Sequence, residues 1–401
     1  MAREAWITGI GLVSSLGEGV DAHWAAMAEA EHRAPNVDMT FTPPFGIHPM
    51  VPLDLDKQIP KKADQRQMEA WQRLGTYAAG LALADGGIAG NLDILSHTHV
   101  VAAADGGERD VPTDSAILDA LPNAENPAAF LNERLSNDLR PTLFLAQLPN
   151  LLAGNISIVH KVTGSSRTFM GEEIAGASAL EIALKRIAAN QGDIFLVGGA
   201  FLAERKDSVL NTALGGVLWA GPHLPVWERA GKGGGAMLGS GGAFLVVEGR
   251  EHAEARGARA YARLVNVLTD QSRRRPGDVA GKLGGQLDKL LTQDEAVSVI
   301  SAATGVAQAT GEEREVLARL IGEGRVDTVR AYATMLGAIS SAAVPAAVGL
   351  AALAIHRGGF YRPVDGSGFE TAKTDAPRRI AVTAAGIWRG EGSALIAAIE
   401  G

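Results

Sequence analysis

The chain has no cysteine. That excludes a disulfide framework, a thiolate metal site and a cysteine nucleophile. Aromatic residues make up only 5% of the 401 residues, and 37 Lys and Arg are outnumbered by 45 Asp and Glu, for a net charge of −8. Such a balance argues against a nucleic-acid binder, which needs a basic face. Long hydrophobic runs are also missing. The longest apolar stretch, Ala342 to Ile355, contains Pro345 and falls short of the roughly 20 residues of a membrane span, so a buried core helix is expected there. The N-terminus carries Arg3 and Glu4 followed by glycines, without the apolar run or cleavage site of a signal peptide, and a soluble, cytoplasmic protein is expected. Neither a GxxxxGK(S/T) phosphate loop nor an HExxH zinc signature occurs.

What is present is a large core in the making, with 46% hydrophobic residues and 49 glycines. Apolar runs read as buried strands at Trp6–Val13, Thr98–Ala104, Ile194–Gly198, Ala243–Glu248, Tyr261–Val267, Val297–Ser301, Thr328–Tyr332, Arg379–Thr383 and Ala394–Ile399. Helical spacing lies between them, at Met68–Asp85, Leu143–Ala153, Glu173–Asn190, Val279–Leu291, Glu312–Ile321 and Gly337–His356, with Asp21 as the expected cap of an N-terminal helix. Six prolines between residues 32 and 65 predict irregular structure, and 105–140 reads as a polar, turn-rich excursion. Strands and helices alternate in two halves joined near 250–258. The expected fold is therefore layered α/β with both sheet faces covered, divided into 1–250 and 251–401.

Several smaller features have plain structural readings. The glycine run 231–242 leads into a strand rather than opening a helix, so close backbone packing is expected instead of a dinucleotide site. Arg273–Arg275 precede Pro276 and Gly277 and read as a solvated turn. His97 and His99 alternate at a strand end without a third ligand, and a structural role is expected. The same holds for His160 and Lys161.

The order of three segments carries a family resemblance. WITGIGLVSSLG at 6–17, DIFLVGGA at 193–200 and GGGAMLGSGGAFLVVEGREHAEARGARAYARL at 233–264 resemble successive stretches of the β-ketoacyl-acyl-carrier-protein synthases, or condensing enzymes. The resemblance implies the thiolase-like, duplicated α/β/α/β/α fold, a dimer, no cofactor and no metal. It also implies a chemistry built on a helix-terminal cysteine thiolate, two histidines and a lysine.

Counting places each of those groups here. Gly164 and Gly198 both locate the nucleophile position at Glu173, with Glu172 one residue away. The Asn-Ala-His-Gly-Thr motif aligns with ISAATG and puts Ala303 at the first histidine. The Thr-Lys-Ser-Met-Thr-Gly-His run aligns with YATMLGA and puts Ala333 at the lysine and Ala338 at the second histidine. The family's Gly-Phe-Gly-Gly turn becomes Gly386-Ile387-Trp388-Arg389.

All four chemical groups are replaced. The resemblance then implies a catalytically inactive chain of the chain-length-factor type, which pairs with an active ketosynthase, shapes its acyl tunnel and meets acyl carrier protein through that partner. Among divergent members the chain looks most like those of very-long-chain lipid A acyl synthesis. Alternatives are an active acyltransferase or malonyl decarboxylase using Glu173, and a homodimeric acyl-binding module. A carboxylate at 173 is expected to accept backbone N–H groups at the helix start and keep the old oxyanion pocket shut. Glu172 is expected to pair with Arg167. Ile387 and Trp388 are candidate pocket residues, Trp388 either blocking the mouth or packing in the core. The strand Ile194–Gly198 is expected to pair across the dimer axis.

Overall fold

The computed structural model describes residues 3–28, 34–292 and 295–399. Its centre is one continuous sheet. In spatial order it runs Val326–Ala331, Val297–Ser301, Arg379–Ala385, Glu391–Ala397, Ala262–Asp270, Ala5–Ser14, Gly241–Gly249, Ile194–Phe201, His99–Ala103 and Ser166–Phe169.

The two halves repeat one pairing scheme. In the first, Ala5–Ser14 is antiparallel to Gly241–Gly249, which is antiparallel to Ile194–Phe201; His99–Ala103 and Ser166–Phe169 then follow in parallel. In the second, Ala262–Asp270, Glu391–Ala397, Arg379–Ala385, Val297–Ser301 and Val326–Ala331 repeat those relations in the same sequence. The halves meet over a short antiparallel register, Ala5↔Leu264 to Ile7↔Ala262. The near-continuous apolar strands are what this demands, because helices cover both faces.

The helix Ala343–Arg357 is buried from Ala343 to Ala354 and packs against strands of both halves and against the helix Glu173–Ala188. Pro345 is tolerated because it lies in the first turn, where the backbone N–H has no helical partner. The glycine run closes tightly, as expected: a Cβ on Gly239 would overlap the carbonyl of Leu336.

Several expectations are corrected. Ile194–Phe201 is not an edge, since it is paired on both sides; the exposed edge of that half is Ser166–Phe169, a strand the sequence did not reveal. Its Ser166 and Arg167 are exposed, and too few apolar residues mark it as a strand. The proline-rich segment holds two strands, Asp38–Thr42 and Phe45–His48, and the excursion forms the helices Val111–Ala120 and Pro127–Asp138. Pro112 and Pro127, in the first turns of those two helices, act as starts rather than breaks. Asp21 sits inside the first turn of Gly19–Ala28 and is not its cap. Leu143–Ala153 divides into the helices Leu143–Ala146 and Leu151–His160.

Candidate functional site

The helix Glu173–Ala188 begins immediately after the edge strand, so the chain must reverse within Met170–Glu172. Gly171 and Glu172 take positive φ, and Glu172 sits at φ 52, ψ −133, a conformation that costs a non-glycine residue on the order of 1–3 kcal/mol. This strained elbow aims the next side chain inward. Glu173 is 2% exposed. Its carboxylate oxygen accepts the backbone N–H of Ile387 at 3.3 Å and also bonds its own backbone N–H. Two converging main-chain donors at a helix start form the geometry that holds an oxyanion, and here the side chain itself fills it.

Burial pushes the Glu173 carboxyl up to about 7, and the charges of Asp105 and Glu172 add to this against the two N–H bonds. Asp105, just past the strand His99–Ala103, is also pushed up by burial while Ser340 and Ser341 hydrogen-bond to it. Tyr332 lies within the field of Glu173, and burial raises its phenol.

These groups border a cavity of about 360 Å³, whose wall includes Asp105, Glu172, Glu173, Ala338, Ile387 and Trp388. Among the described residues that wall contains no histidine and no lysine. Ala338 reaches it from a turn stitched to the strand Leu238–Gly239: its N–H donates to Met237 and its carbonyl accepts from Gly239 at 2.9 Å. Ala303 and Ala333 are 1% exposed and pack in the core, away from that wall. The structure thus brings Glu172, Glu173, Ala338, Ile387 and Trp388 together and sets Ala303 and Ala333 behind them.

The turn 386–390 is the second half of the site. Arg274 donates to the carbonyls of Gly386 and Gly390 and pairs with the buried Glu391. The arginine run is therefore not wholly a solvated turn; its middle member is a half-buried clamp. Glu172 pairs with Arg389 at 3.1 Å rather than with Arg167. Trp388 is 43% exposed, so core packing is excluded; its indole lies over Gly215, whose missing Cβ leaves room for the ring.

Two buried polar groups near the site were not read from the sequence. Glu313, fully buried, accepts hydroxyls from Ser301 and Thr383 at 2.6 Å each, just behind Ala303. Burial pushes its carboxyl up. A glutamate on the buried face of the helix Ala307–Gly322 was a legible signal for such a group. Below the Ala333–Leu336 turn, His48 is buried beside His223, ring centroids 5.6 Å apart, and His223 bonds the Thr334 carbonyl at 2.9 Å. Burial first, then His223 and Arg229, pushes His48 down to about 3. Neither ring lines the cavity. Of the histidines read as structural, His99 bonds Ser165, and His160 bonds the Thr76 carbonyl at 2.8 Å.

Residues 2–253 match the family described as Beta-ketoacyl synthase, N-terminal domain. The chain is 28% identical over 280 residues to a 3-oxoacyl-[acyl-carrier-protein] synthase 2 of Rhizobium meliloti (strain 1021), covering 66% of this chain and 63% of that relative's length. In fold it is similar to the ishigamide ketosynthase/chain length factor, with TM-score 0.80, 20% identity and full coverage of both chains. It is also similar to a type II PKS acyl-carrier protein in complex with its ketosynthase bound to the hexaketide, with TM-score 0.76, 15% identity and full coverage of both. The architecture is the thiolase-like one.

Proposed function

The chain belongs to the β-ketoacyl synthase family, and from that premise we propose that it is a non-catalytic subunit, pairing with an active ketosynthase and shaping the acyl tunnel of that partner. The observation that carries the proposal is Glu173: its carboxylate occupies the two main-chain donors that a reacting carbonyl would need. Replacing a nucleophile by a group that also fills the oxyanion pocket removes attack and stabilisation together. Ala303, Ala333 and Ala338 offer no proton donor or acceptor in their side chains, so the family's remaining chemistry has no carrier either. Similarity to a solved ketosynthase/chain length factor supports the pairing, and similarity to a ketosynthase complexed with its acyl-carrier protein supports contact with a carrier through that partner. The narrower setting, very-long-chain acyl groups destined for lipid A, rests on the sequence resemblance.

The test is co-expression with an intact cysteine-and-histidine ketosynthase from the same genome, followed by condensation assays on each protein alone and on the pair. The expected result is a stable heterodimer, no malonyl decarboxylation or condensation by this chain alone, and a product length set by its presence. The carrier protein recovered with the pair identifies the acyl class. Turnover by the isolated chain at rates typical of an enzyme, abolished in Glu173→Ala, would replace this reading with the catalytic one.

A further inference from the structure

At the opposite end of the sheet, three arginines gather, with Glu4 and Glu295 the acids beside them among the described residues. Arg263 and Arg379 lie at the start of the strands Ala262–Asp270 and Arg379–Ala385, whose other ends adjoin the turn 386–390. Both are in register with Ala397 on the strand between them, so the three residues project from one face of the sheet, the arginines flanking a methyl group. Arg378 adjoins them, held by the bond from the Ala398 N–H to its carbonyl at 2.8 Å. Together with Val265, Leu395 and Glu295 they line a pocket of about 260 Å³.

Among the described residues the charges here do not balance. Arg263 is met by Glu4 at 2.7 Å, but among the described residues Arg378 and Arg379 enter no ion pair, and Glu295 is the pocket's single acid. Two guanidinium nitrogens, Nε of Arg263 and Nη1 of Arg379, are sealed from solvent without a hydrogen-bond acceptor among the described residues. Buried donors of this kind are rare and costly, and a bound ion is one of the few arrangements that relieves them. Desolvation, with the neighbouring charge of Arg263, lowers the guanidinium pKa of Arg379, whereas Glu295 raises it. A tetrahedral oxyanion matches such a set, because planar guanidinium forks deliver paired N–H donors to phosphate oxygens.

We infer that this pocket binds phosphate, either free or as a monoester whose small apolar group rests on Val265, Leu395 and Ala397. It is independent of the carboxylate-filled cavity and of the subunit role proposed above.

The experiment is isothermal titration of the full chain at constant ionic strength, chloride replacing phosphate in the reference, with inorganic phosphate and phenyl phosphate as probes. Saturable binding of phosphate is expected, weakened at least tenfold in Arg379→Gln. The exposed Arg378→Gln change should weaken it several-fold while leaving the thermal midpoint unchanged, which separates lost binding from lost folding. Phenyl phosphate binding more tightly than phosphate assigns a monoester, and equal affinity assigns the free ion. No binding beyond the chloride reference, or wild-type affinity in both variants, overturns the assignment.

Discussion

Glu173 is the residue on which the site turns, and its ionisation has consequences for stability. An ordinary glutamate titrates near 4.5, but burial and the facing acids raise this one to about 7. The folded state therefore holds its proton where the unfolded chain has released it. The sign follows: stability falls as pH rises from about 4.5 to about 7 and levels off above, by up to about 3 kcal/mol. Glu173→Gln removes that titration. Urea denaturation of both proteins between pH 5 and 8 is expected to show the variant gaining on the wild type as pH rises; a constant difference would contradict the burial argument. Chemistry at the same position is tested by Glu173→Cys. A thiol alone is expected to give no condensation on malonyl-carrier substrates, because the groups of an active site act as a unit and Ala303 and Ala338 supply none of the rest. Condensing activity in that single variant would show that those two positions are misplaced.

Elements meet here through small residues and a few long-reaching side chains. A Cβ on Gly11, in the central strand Ala5–Ser14, would overlap the Ala78 carbonyl of the helix Ala70–Asp85. That backbone cannot move without disturbing a helix with eleven buried residues. Gly11→Ala is accordingly expected to destabilise the fold by about 1–3 kcal/mol, as overpacking does, and a urea midpoint close to wild type would show that the helix yields. Arg274 plays the opposite part, reaching from the loop after Ala262–Asp270 to bind two carbonyls of the turn 386–390 and Glu391. Arg274→Met leaves Glu391 buried and unpaired, an error worth about 3–5 kcal/mol. The turn that presents Ile387 to Glu173 should loosen with it, measured as faster amide exchange at Ile387. Unchanged exchange there would remove Arg274 from the site.

For the whole molecule, the two outer strands of the sheet differ in how they are covered. Val326–Ala331 is sealed by the segment beyond it, with Arg330 bonding the carbonyls of Tyr361 and Thr371. Ser166–Phe169 presents an exposed edge, and the bonds from Val100 to Ser165 and from Ala104 to Phe169 place the N–H groups of Ser166 and Thr168 on its free side. An open edge is a template for another chain. The chain purified alone is expected to sediment as a dimer at micromolar concentration, and Thr168→Pro, which removes one outward donor, to shift it toward monomer. A monomeric wild type would defeat this, as would a proline variant that still dimerises fully.

The sequence by itself determined the alternation of strands and helices, the duplicated scheme and the place of Glu173 at a helix start, because apolar period and glycine spacing are local properties. Of the three positions reached by counting from motifs, Ala338 lies on the cavity wall, whereas Ala303 and Ala333 lie in the core. The sequence did not disclose the partner of Glu172, the clamp of Arg274 or the buried Glu313, since each depends on groups brought near only by folding: Arg389 lies 217 positions from Glu172, and Glu391 lies 117 from Arg274. Nor did it identify Ser166–Phe169 as the edge, because the apolar content that marks a strand interior is what an exposed edge lacks. Local pattern determines which segments pair and bury; only the tertiary register decides which charges they carry into contact, and that register set both the filled donor pair at Glu173 and the arginines flanking Ala397.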